Sequence, residues 1–310
     1  MAFFALTVLE RSVMLLVLVA GGFLCAKVGI GDERMTKKMS DLLLLVITPA
    51  LLLTSFMGGY DPETARKLLR ALEYSAASFA VLFAVTYLFI PRVRNGRSIV
   101  ERLSLIYSNC GFFGIPLVYG LFGDEGVMYM SVYIAMFNLL FWTHGISSMP
   151  SGNAPRKPFF RNLLSPAILS IAAGLVIYFA RIRVPELIQE PFRYVADCNT
   201  PAAMLIAGAT LSRSNFASCL KNGRIYAVSS VRLLLMPALV ALVLRLLGAE
   251  HILAMVALIA SACPSAVSVT ALSSSTGNDT EYASQLFSFT TLISALTIPV
   301  ISLFAGAIGL

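Results

Sequence analysis

Long apolar runs separated by short polar loops recur along the whole chain. An α-helix needs roughly 20 apolar residues to cross the hydrocarbon core of a membrane, and by this measure the pattern predicts ten segments. They are numbered in chain order, with approximate bounds 8–30, 40–58, 70–90, 102–122, 126–148, 162–181, 194–212, 224–246, 250–272 and 282–309. The pattern therefore predicts an all-α polytopic membrane protein of ten transmembrane helices.

The composition supports this class. Of the 310 residues, 58% are hydrophobic and 13% are charged, and the mean hydropathy is +0.82. A soluble domain of this length does not need so apolar a chain. No Lys or Arg precedes Arg11, and no small-residue cleavage pattern ends the first apolar run. That run is therefore predicted to be a membrane span and not a signal peptide.

The longest polar stretch, SMPSGNAPRKPFFRN, is basic and rich in Pro and Gly. It is interpreted as a linker between two halves. The predicted units are a first five-helix repeat at 1–150, a cytoplasmic linker at 151–161, and a second repeat at 162–310. Because each half has an odd number of segments, the second half enters the membrane from the opposite side, and the repeats are predicted to be inverted.

Two pairs of proline motifs support this repeat. The Thr-Pro pair at 48–49 matches another at 200–201, 152 residues later, and Pro116 precedes Pro264 by 148 residues. A proline inside a helix removes a hydrogen bond, and such a break survives in a membrane only where protein or a wet cavity surrounds it. Discontinuous helices of inverted-repeat transporters meet at the substrate site. The sequence therefore predicts that broken segments 4 and 9 meet near the middle of the membrane.

Charge indicates the orientation and the sign of the substrate. With both termini extracytoplasmic, the short cytoplasmic loops carry 13 Lys and Arg residues and the other side carries 8. The half-helices beginning at Pro116 and Pro264 are expected to present N-termini with about half a positive charge each, which suits a carboxylate. Neither break contains the Asp or Glu that a cation exchanger needs. A small organic anion is therefore the favoured substrate.

Several other functions are disfavoured. Basic and aromatic residues are not interleaved as in an RNA-binding protein. The five cysteines are scattered, so no disulfide framework, metal site or cofactor is predicted. The two histidines form no catalytic or metal-binding motif, and no phosphate-binding G-x-x-x-x-G-K-[ST] is found. The chain is predicted not to be an enzyme. A sodium- or proton-coupled carrier of similar fold and a membrane sensor are the alternatives.

The stretch NCGFFGIPLVYGLFG, which begins at Asn109, resembles the N-x-x-x-x-G-x-P-L…G signature of the auxin efflux carrier family. This family includes bacterial malate and malonate carriers and the plant PIN-formed auxin transporters. The resemblance extends to Asn138, to Arg232 and Pro237 of segment 8, and to the proline of segment 9. The short linker resembles that of the bacterial members.

The resemblance implies a ten-helix inverted-repeat fold in which the two broken helices, segments 4 and 9, cross. Segments 3–5 and 8–10 would form a transport domain that moves organic anions by an elevator-like motion in the cell membrane. Segments 1, 2, 6 and 7 would form a scaffold that also pairs as a homodimer. Which anion is carried, which ion is coupled and in which direction flux runs remain open.

Ten residues are predicted to form the substrate site: Asn109, Gly111, Gly114, Pro116, Asn138, Arg232, Ser261, Cys263, Pro264 and Ser265. For Asn109, contact with a carboxylate is favoured over repair of freed backbone groups. For Asn138, contact with the substrate and a hydrogen bond between helices are equally favoured. For each serine, a bond back to its own helix is favoured. For Arg232, bonds to helix-end carbonyls are favoured over balancing a second substrate carboxylate.

Two titratable residues, His144 and Asp197, are candidate proton carriers. For His144 an ordinary interfacial position is favoured, and for Asp197 proton transfer is disfavoured in the same way.

Overall fold

The computed structural model of the chain describes residues 2–30, 32–91, 95–148, 165–213, 219 and 221–310. The described part is helical, and its only extended pairing is one isolated bridge between two residues. The prediction of an all-α protein is therefore confirmed for these residues. The linker predicted at 151–161 lies outside them.

Fourteen helices are described. Those of the first half are α1 (Ala2–Lys27), α2 (Glu33–Leu42), α3 (Thr48–Thr54), α4 (Pro62–Phe89), α5 (Gly96–Ile106) and α6 (Ile115–Leu140). Those of the second half are α7 (Pro166–Phe179), α8 (Glu186–Asp197), α9 (Asn199–Leu211), α10 (Gly223–Ser230), α11 (Met236–Leu246), α12 (His251–Ala262), α13 (Val267–Thr276) and α14 (Thr280–Ala307).

Five helical stretches of the described chain are long and apolar enough to cross a membrane: Leu6–Lys27, Pro62–Phe89, Cys110–Gly145, Gly223–Leu246 and Thr280–Ala307. The apolar pattern missed α8, whose apolar and polar residues are spaced as on an amphipathic surface helix. Leu187 and Tyr194 of this helix are exposed.

Three π-helical turns each end two residues before a proline. They are Leu43–Ile47 before Pro49, Cys110–Gly114 before Pro116, and Val231–Leu235 before Pro237. A proline has no N–H for the carbonyl four residues earlier, and its ring crowds that carbonyl. The wider turn relieves this conflict because its hydrogen bonds span five residues. These helices therefore continue through their prolines and do not break at them.

The stretch from Cys110 to Gly145 is a helical hairpin. Within α6, Gly123 has φ 60° and ψ −149°, a conformation that is open only to glycine. The hydroxyl of Tyr107 donates to the carbonyl of Leu140 at 2.8 Å, whereas one straight helix would separate these residues by about 50 Å. The chain therefore reverses direction at Gly123, between predicted segments 4 and 5.

Contacts between helix termini fall into two groups. At what we call the Arg97 end, the pairs are Arg97 with Asp279, Arg102 with the carbonyl of Ile90, Tyr87 with His144, and Arg213 with Thr36. At what we call the Asp124 end, they are Asp124 with Arg193, Tyr119 with Asp197, Phe4 with Phe122, and Arg245 with the carbonyl of Ile308. The hairpin and the long helices run between these two ends.

Helices α1 and α9, one from each half, pack backbone against backbone. A Cβ atom on Gly208 would meet the backbone of Val19 and Phe23, and one on Gly22 would meet the backbone of Leu205. Small residues allow such close approach between membrane helices. This contact joins predicted segments 1 and 7.

Candidate functional site

Two non-helical stretches, 107–109 and 264–266, cross in the interior of the molecule. The N–H of Asn109 donates to the carbonyl of Pro264 at 2.7 Å, and the N–H of Ala266 donates to the carbonyl of Tyr107 at 3.0 Å. Ser108 and Ser265 form an antiparallel bridge between these bonds. Because α5 and α12 end at this bridge and two further helical stretches begin there, four helix termini meet at one point.

The two helix C-termini at the crossover are satisfied by side chains. A guanidinium N–H of Arg232 donates to the carbonyl of Cys263, just beyond α12, at 2.9 Å. The hydroxyl of Ser265 donates to the carbonyl of Ser104, in the last turn of α5, at 3.3 Å. The N–H of Ser265 in turn donates to the hydroxyl of Thr290 on α14 at 3.1 Å. The negative ends of both helix dipoles are therefore countered within the protein.

The two helix N-termini at the crossover are not capped in this way. Among the described residues, no side chain caps the π-helical turn that follows Asn109, and none caps α13, which follows Ala266. By contrast, Asn95 caps α5 at its outer start and Asp279 caps α14. An uncapped helix N-terminus attracts anions because its N–H groups and its partial positive charge point outward.

Asn109 ends the first crossing strand, and Gly111 lies in the π-helical turn that follows it. Asn109 is 5% exposed, and its side chain forms no hydrogen bond within the described residues. A Cβ atom added to Gly111 would meet nothing within 4 Å, whereas one added to Gly114 would meet Met130 and Cys263. The two glycines predicted to line the substrate site therefore differ in their surroundings, because Gly111 borders free space and Gly114 packs against the hairpin.

Arg232 is completely buried in the π-helical turn between α10 and α11. Its Nε and Nη1 atoms have no hydrogen-bond partner among the described residues. Among the described residues, the titratable groups that act on its charge are Tyr133, Cys110 and Cys263, none of which is a carboxylate. A buried cation is costly unless an anion compensates it. The observed bond to Cys263 matches the alternative favoured from the sequence and leaves two thirds of the guanidinium nitrogens without a partner.

Two predicted site residues bond back to their own helices. The amide of Asn138 donates to the carbonyl of Ile134 at 2.8 Å, and the hydroxyl of Ser261 donates to the carbonyl of Leu258 at 2.8 Å. The structure places neither side chain in a hydrogen bond across the crossover.

The prediction that a half-helix begins at Pro116 is wrong. The break ends at Asn109, and Pro116 is buried within the helical stretch that follows it. Pro264, by contrast, lies inside the second break. The physical reason is the π-helical turn at Cys110–Gly114, which accommodates the proline without breaking the helix. The two prolines are therefore not at equivalent positions.

Three residues whose hydrogen bonds hold the crossing strands together were not predicted from the sequence: Tyr107, Ser104 and Thr290. Each is a polar residue in an apolar stretch, but only the pairing of distant strands shows what it binds. The Thr-Pro motifs indicated one contact between the two halves, since the hydroxyl of Thr48 donates to the side-chain oxygen of Asn199, the residue before Thr200, at 2.8 Å. Helix α9, which begins at Asn199, contacts the π-helical turn at the crossover.

Within the described residues, no group of three or more His, Cys, Asp or Glu side chains is placed to hold a metal ion. Asp197 lies at the Asp124 end, where it accepts a hydrogen bond from Tyr119 at 3.4 Å. His144 lies at the Arg97 end of the hairpin and is bonded to Tyr107.

Comparison with known proteins gives consistent matches. The sequence matches the family described as "Membrane transport protein" over residues 7–160 and 155–302. A "Putative malonate transporter" of Rhizobium meliloti is 26% identical over 229 residues, which is 71% of each chain. An "Uncharacterized transporter" of Methanothermobacter thermautotrophicus is 23% identical over 294 residues, covering 94% of this chain and 96% of the relative.

Proposed function

Because the chain belongs to the membrane transport protein family, which is the auxin efflux carrier family indicated by the sequence, we propose that it is a permease for small organic anions. Membership of a transport family makes the chain a multi-pass membrane transporter and argues against an enzymatic role. The substrates proposed are carboxylates such as malate, malonate or auxin-like acids. The name of the Rhizobium meliloti relative supports a short dicarboxylate among these.

This proposal rests on a difference in capping between the helix C-termini and N-termini at the crossover. Side chains satisfy the C-termini of α5 and α12, while the N-termini that follow Asn109 and Ala266 have no side-chain cap. The local field therefore favours an anion. A carboxylate that approaches beside Gly111 would accept from these N–H groups and from the amide of Asn109.

Arg232 extends the proposal to dicarboxylates. Its charge is buried and, within the described part of the chain, faces no carboxylate and keeps two nitrogens without partners. We propose that it stabilises the substrate's second negative charge from behind the crossing strands. Because the effect of a buried charge extends through a medium of low dielectric constant, direct contact is not required.

The proposed topology has ten crossings in two inverted halves. The hairpin at Gly123 and the separation of contacts into an Arg97 end and an Asp124 end support it. The proposed motion is an elevator-type movement of segments 3–5 and 8–10 against segments 1, 2, 6 and 7, which are also proposed to join two copies. The Arg97 end is proposed to face the cytoplasm and both termini the exterior of the cell membrane.

Uptake into proteoliposomes tests the proposed function. Labelled malonate, malate, a monocarboxylate and an indole acid are compared for the wild type, Asn109→Ala and Asn138→Ala, with and without an imposed pH gradient. Loss of the Asn109 amide should lower saturable flux of the preferred anion at least about tenfold, since a hydrogen bond to a charged group is lost. Asn138→Ala is the matched control, because that amide bonds to its own helix.

Two results would contradict the proposal. One is movement of a cation or a neutral solute with no flux of any anion. The other is an equal loss of flux in both asparagine variants. The response to the pH gradient decides separately whether protons are coupled.

A further inference from the structure

Tyr107 joins the crossover to the Arg97 end of the molecule. Its carbonyl accepts the N–H of Ala266 in the crossing strands at 3.0 Å. Its side chain is fully buried and extends to the end of the hairpin, where the rings of Phe137 and Phe141 pack edge-on against it at 5.6 and 5.0 Å. The position of the Tyr107 ring therefore affects the backbone that precedes Asn109.

The hydrogen bonds around Tyr107 determine which nitrogen of His144 carries the proton. The Tyr107 hydroxyl donates its single hydrogen to the carbonyl of Leu140 at 2.8 Å. His144 Nδ1 lies 3.0 Å from the same hydroxyl oxygen. Because that oxygen has no second hydrogen to give, Nδ1 must be the donor in this contact.

The other nitrogen of His144 is then an acceptor. The hydroxyl of Tyr87 lies 2.8 Å from His144 Nε2. The hydroxyl of Ser148 is farther away, at 3.2 Å, and it also lies 2.7 Å from the carbonyl of His144 itself. The contacts thus form one directed chain of donors, from Tyr87 to His144 to Tyr107 to the carbonyl of Leu140, and a neutral imidazole with Nδ1–H satisfies every member.

The surroundings favour this neutral form. The groups that face the ring are Phe83 and Tyr87 from α4, Tyr107 at the crossover, and Ser148 on the same hairpin arm. Among the described residues, the charge that acts on the ring is that of Arg102, whose guanidinium lies 4.6 Å from the centre of the Tyr87 ring. None of these groups is a carboxylate that would stabilise an imidazolium ion.

We propose that His144 is a positioning residue for transport, whose Nδ1–H fixes Tyr107 and through it the crossing strand that presents Asn109 to the substrate. This inference rests on the proposed function, because it assumes that the strand binds what is carried. It assigns His144 the role of a fixed donor in place of the proton carrier considered from the sequence.

Side chains of matched shape test the role in transport. In His144→Asn the amide nitrogen takes the place of Nδ1 and still donates to Tyr107, whereas in His144→Gln the amide reaches the position of Nε2. We expect His144→Gln and Tyr107→Phe each to raise the KM for the carried solute about fivefold, the effect of one hydrogen bond. His144→Asn and Tyr87→Phe should stay close to the wild type, since both keep the bond to Tyr107.

The double variant His144→Gln with Tyr107→Phe provides the decisive comparison. If both residues act through one bond, its KM should equal that of either single variant. Multiplied effects, or an equal loss in His144→Asn, would overturn the proposal. The four proteins of this cycle are compared with whichever solute the wild type carries. If the proposed substrate class is wrong, the wild type shows this, and the comparison still tests the bond between His144 and Tyr107.

A spectroscopic measurement tests the tautomer without any substrate. The chain has two histidines, and in a His251→Gln variant only His144 contributes to the imidazole ¹⁵N spectrum of the protein in lipid nanodiscs. We expect a protonated Nδ1 and an unprotonated Nε2 near neutral pH. The opposite tautomer, or an imidazolium at that pH, would overturn the assignment even if transport of anions has already been shown.

Discussion

The two breaks that meet at the crossover are built differently. The second, at 263–266, contains Pro264, and its Ser265 is held by Thr290 and Ser104. The first, at 107–109, has no proline, and it leads to an Asn109 side chain without a hydrogen bond in the described part and to a Gly111 beside free space. The side chain of Ser265 in the second break thus acts as a fixed support, whereas the first break carries a side-chain amide suited to recognition.

The difference shows that similar motifs in two halves of a sequence need not perform the same task. A strand with every polar group satisfied by the protein has no capacity left for a ligand. A strand with unused donors has that capacity, provided that its neighbours hold it in place. At this crossover the neighbours of the first strand are the second strand, through two backbone bonds, and His144, through Tyr107.

The largest expected effect separates the two glycines of the π-helical turn that follows the first strand. In Gly114→Val the new side chain would collide with Met130 and with Cys263, whose sulfur lies 3.1 Å from an added Cβ. Such overpacking costs about 1–3 kcal/mol and should lower both the yield of monodisperse protein and its thermal stability in detergent. Gly111→Val should retain stability but lose flux, because its side chain fills the space proposed for substrate. Equal stability of the two variants would contradict the distinction.

A loss of stability of similar size, but without the loss of flux expected for Gly111→Val, concerns the support of the second strand. Thr290→Val removes the oxygen that accepts the buried N–H of Ser265, and an unsatisfied buried donor costs about 1–3 kcal/mol. Thermal unfolding in detergent measures the loss. The matched control is Thr291→Val, since the Thr291 hydroxyl bonds only to the carbonyl of Phe287 in its own helix. If both valine variants unfold at the same temperature, Thr290 does not support the crossing strand.

The smallest effect distinguishes the two serines near the end of α12. Ser265→Ala removes the 3.3 Å bond to the carbonyl of Ser104 and should cost about 0.5–1.5 kcal/mol, as a neutral hydrogen bond does. Ser261→Ala removes only a bond to its own helix and should change stability less. Unfolding temperature and KM are measured for both. If Ser261→Ala lowers stability more than Ser265→Ala, the important polar contact lies one turn earlier in the chain than the structure places it.

Much of the architecture follows from local chemistry that the sequence displays. Apolar runs identify the membrane class, and Gly123 stands between the two predicted segments where the chain reverses. The amphipathic helix α8 was missed because its apolar residues do not form a continuous run. The start of the first half-helix was misplaced at Pro116 because the effect of a proline depends on whether the preceding turn can widen, and the residue pattern does not show this.

The order of residues along the chain is enough to identify a helical membrane protein of a transport family and to indicate where its helices are interrupted. These properties depend on hydrophobicity and on backbone chemistry within a few residues. The folded arrangement was needed to show that Ser108 lies opposite Ser265, that Arg232 bonds to Cys263, and that His144 reaches Tyr107. Those contacts join residues far apart in the chain, and whether a polar group is free for a ligand depends on which distant groups have already satisfied it.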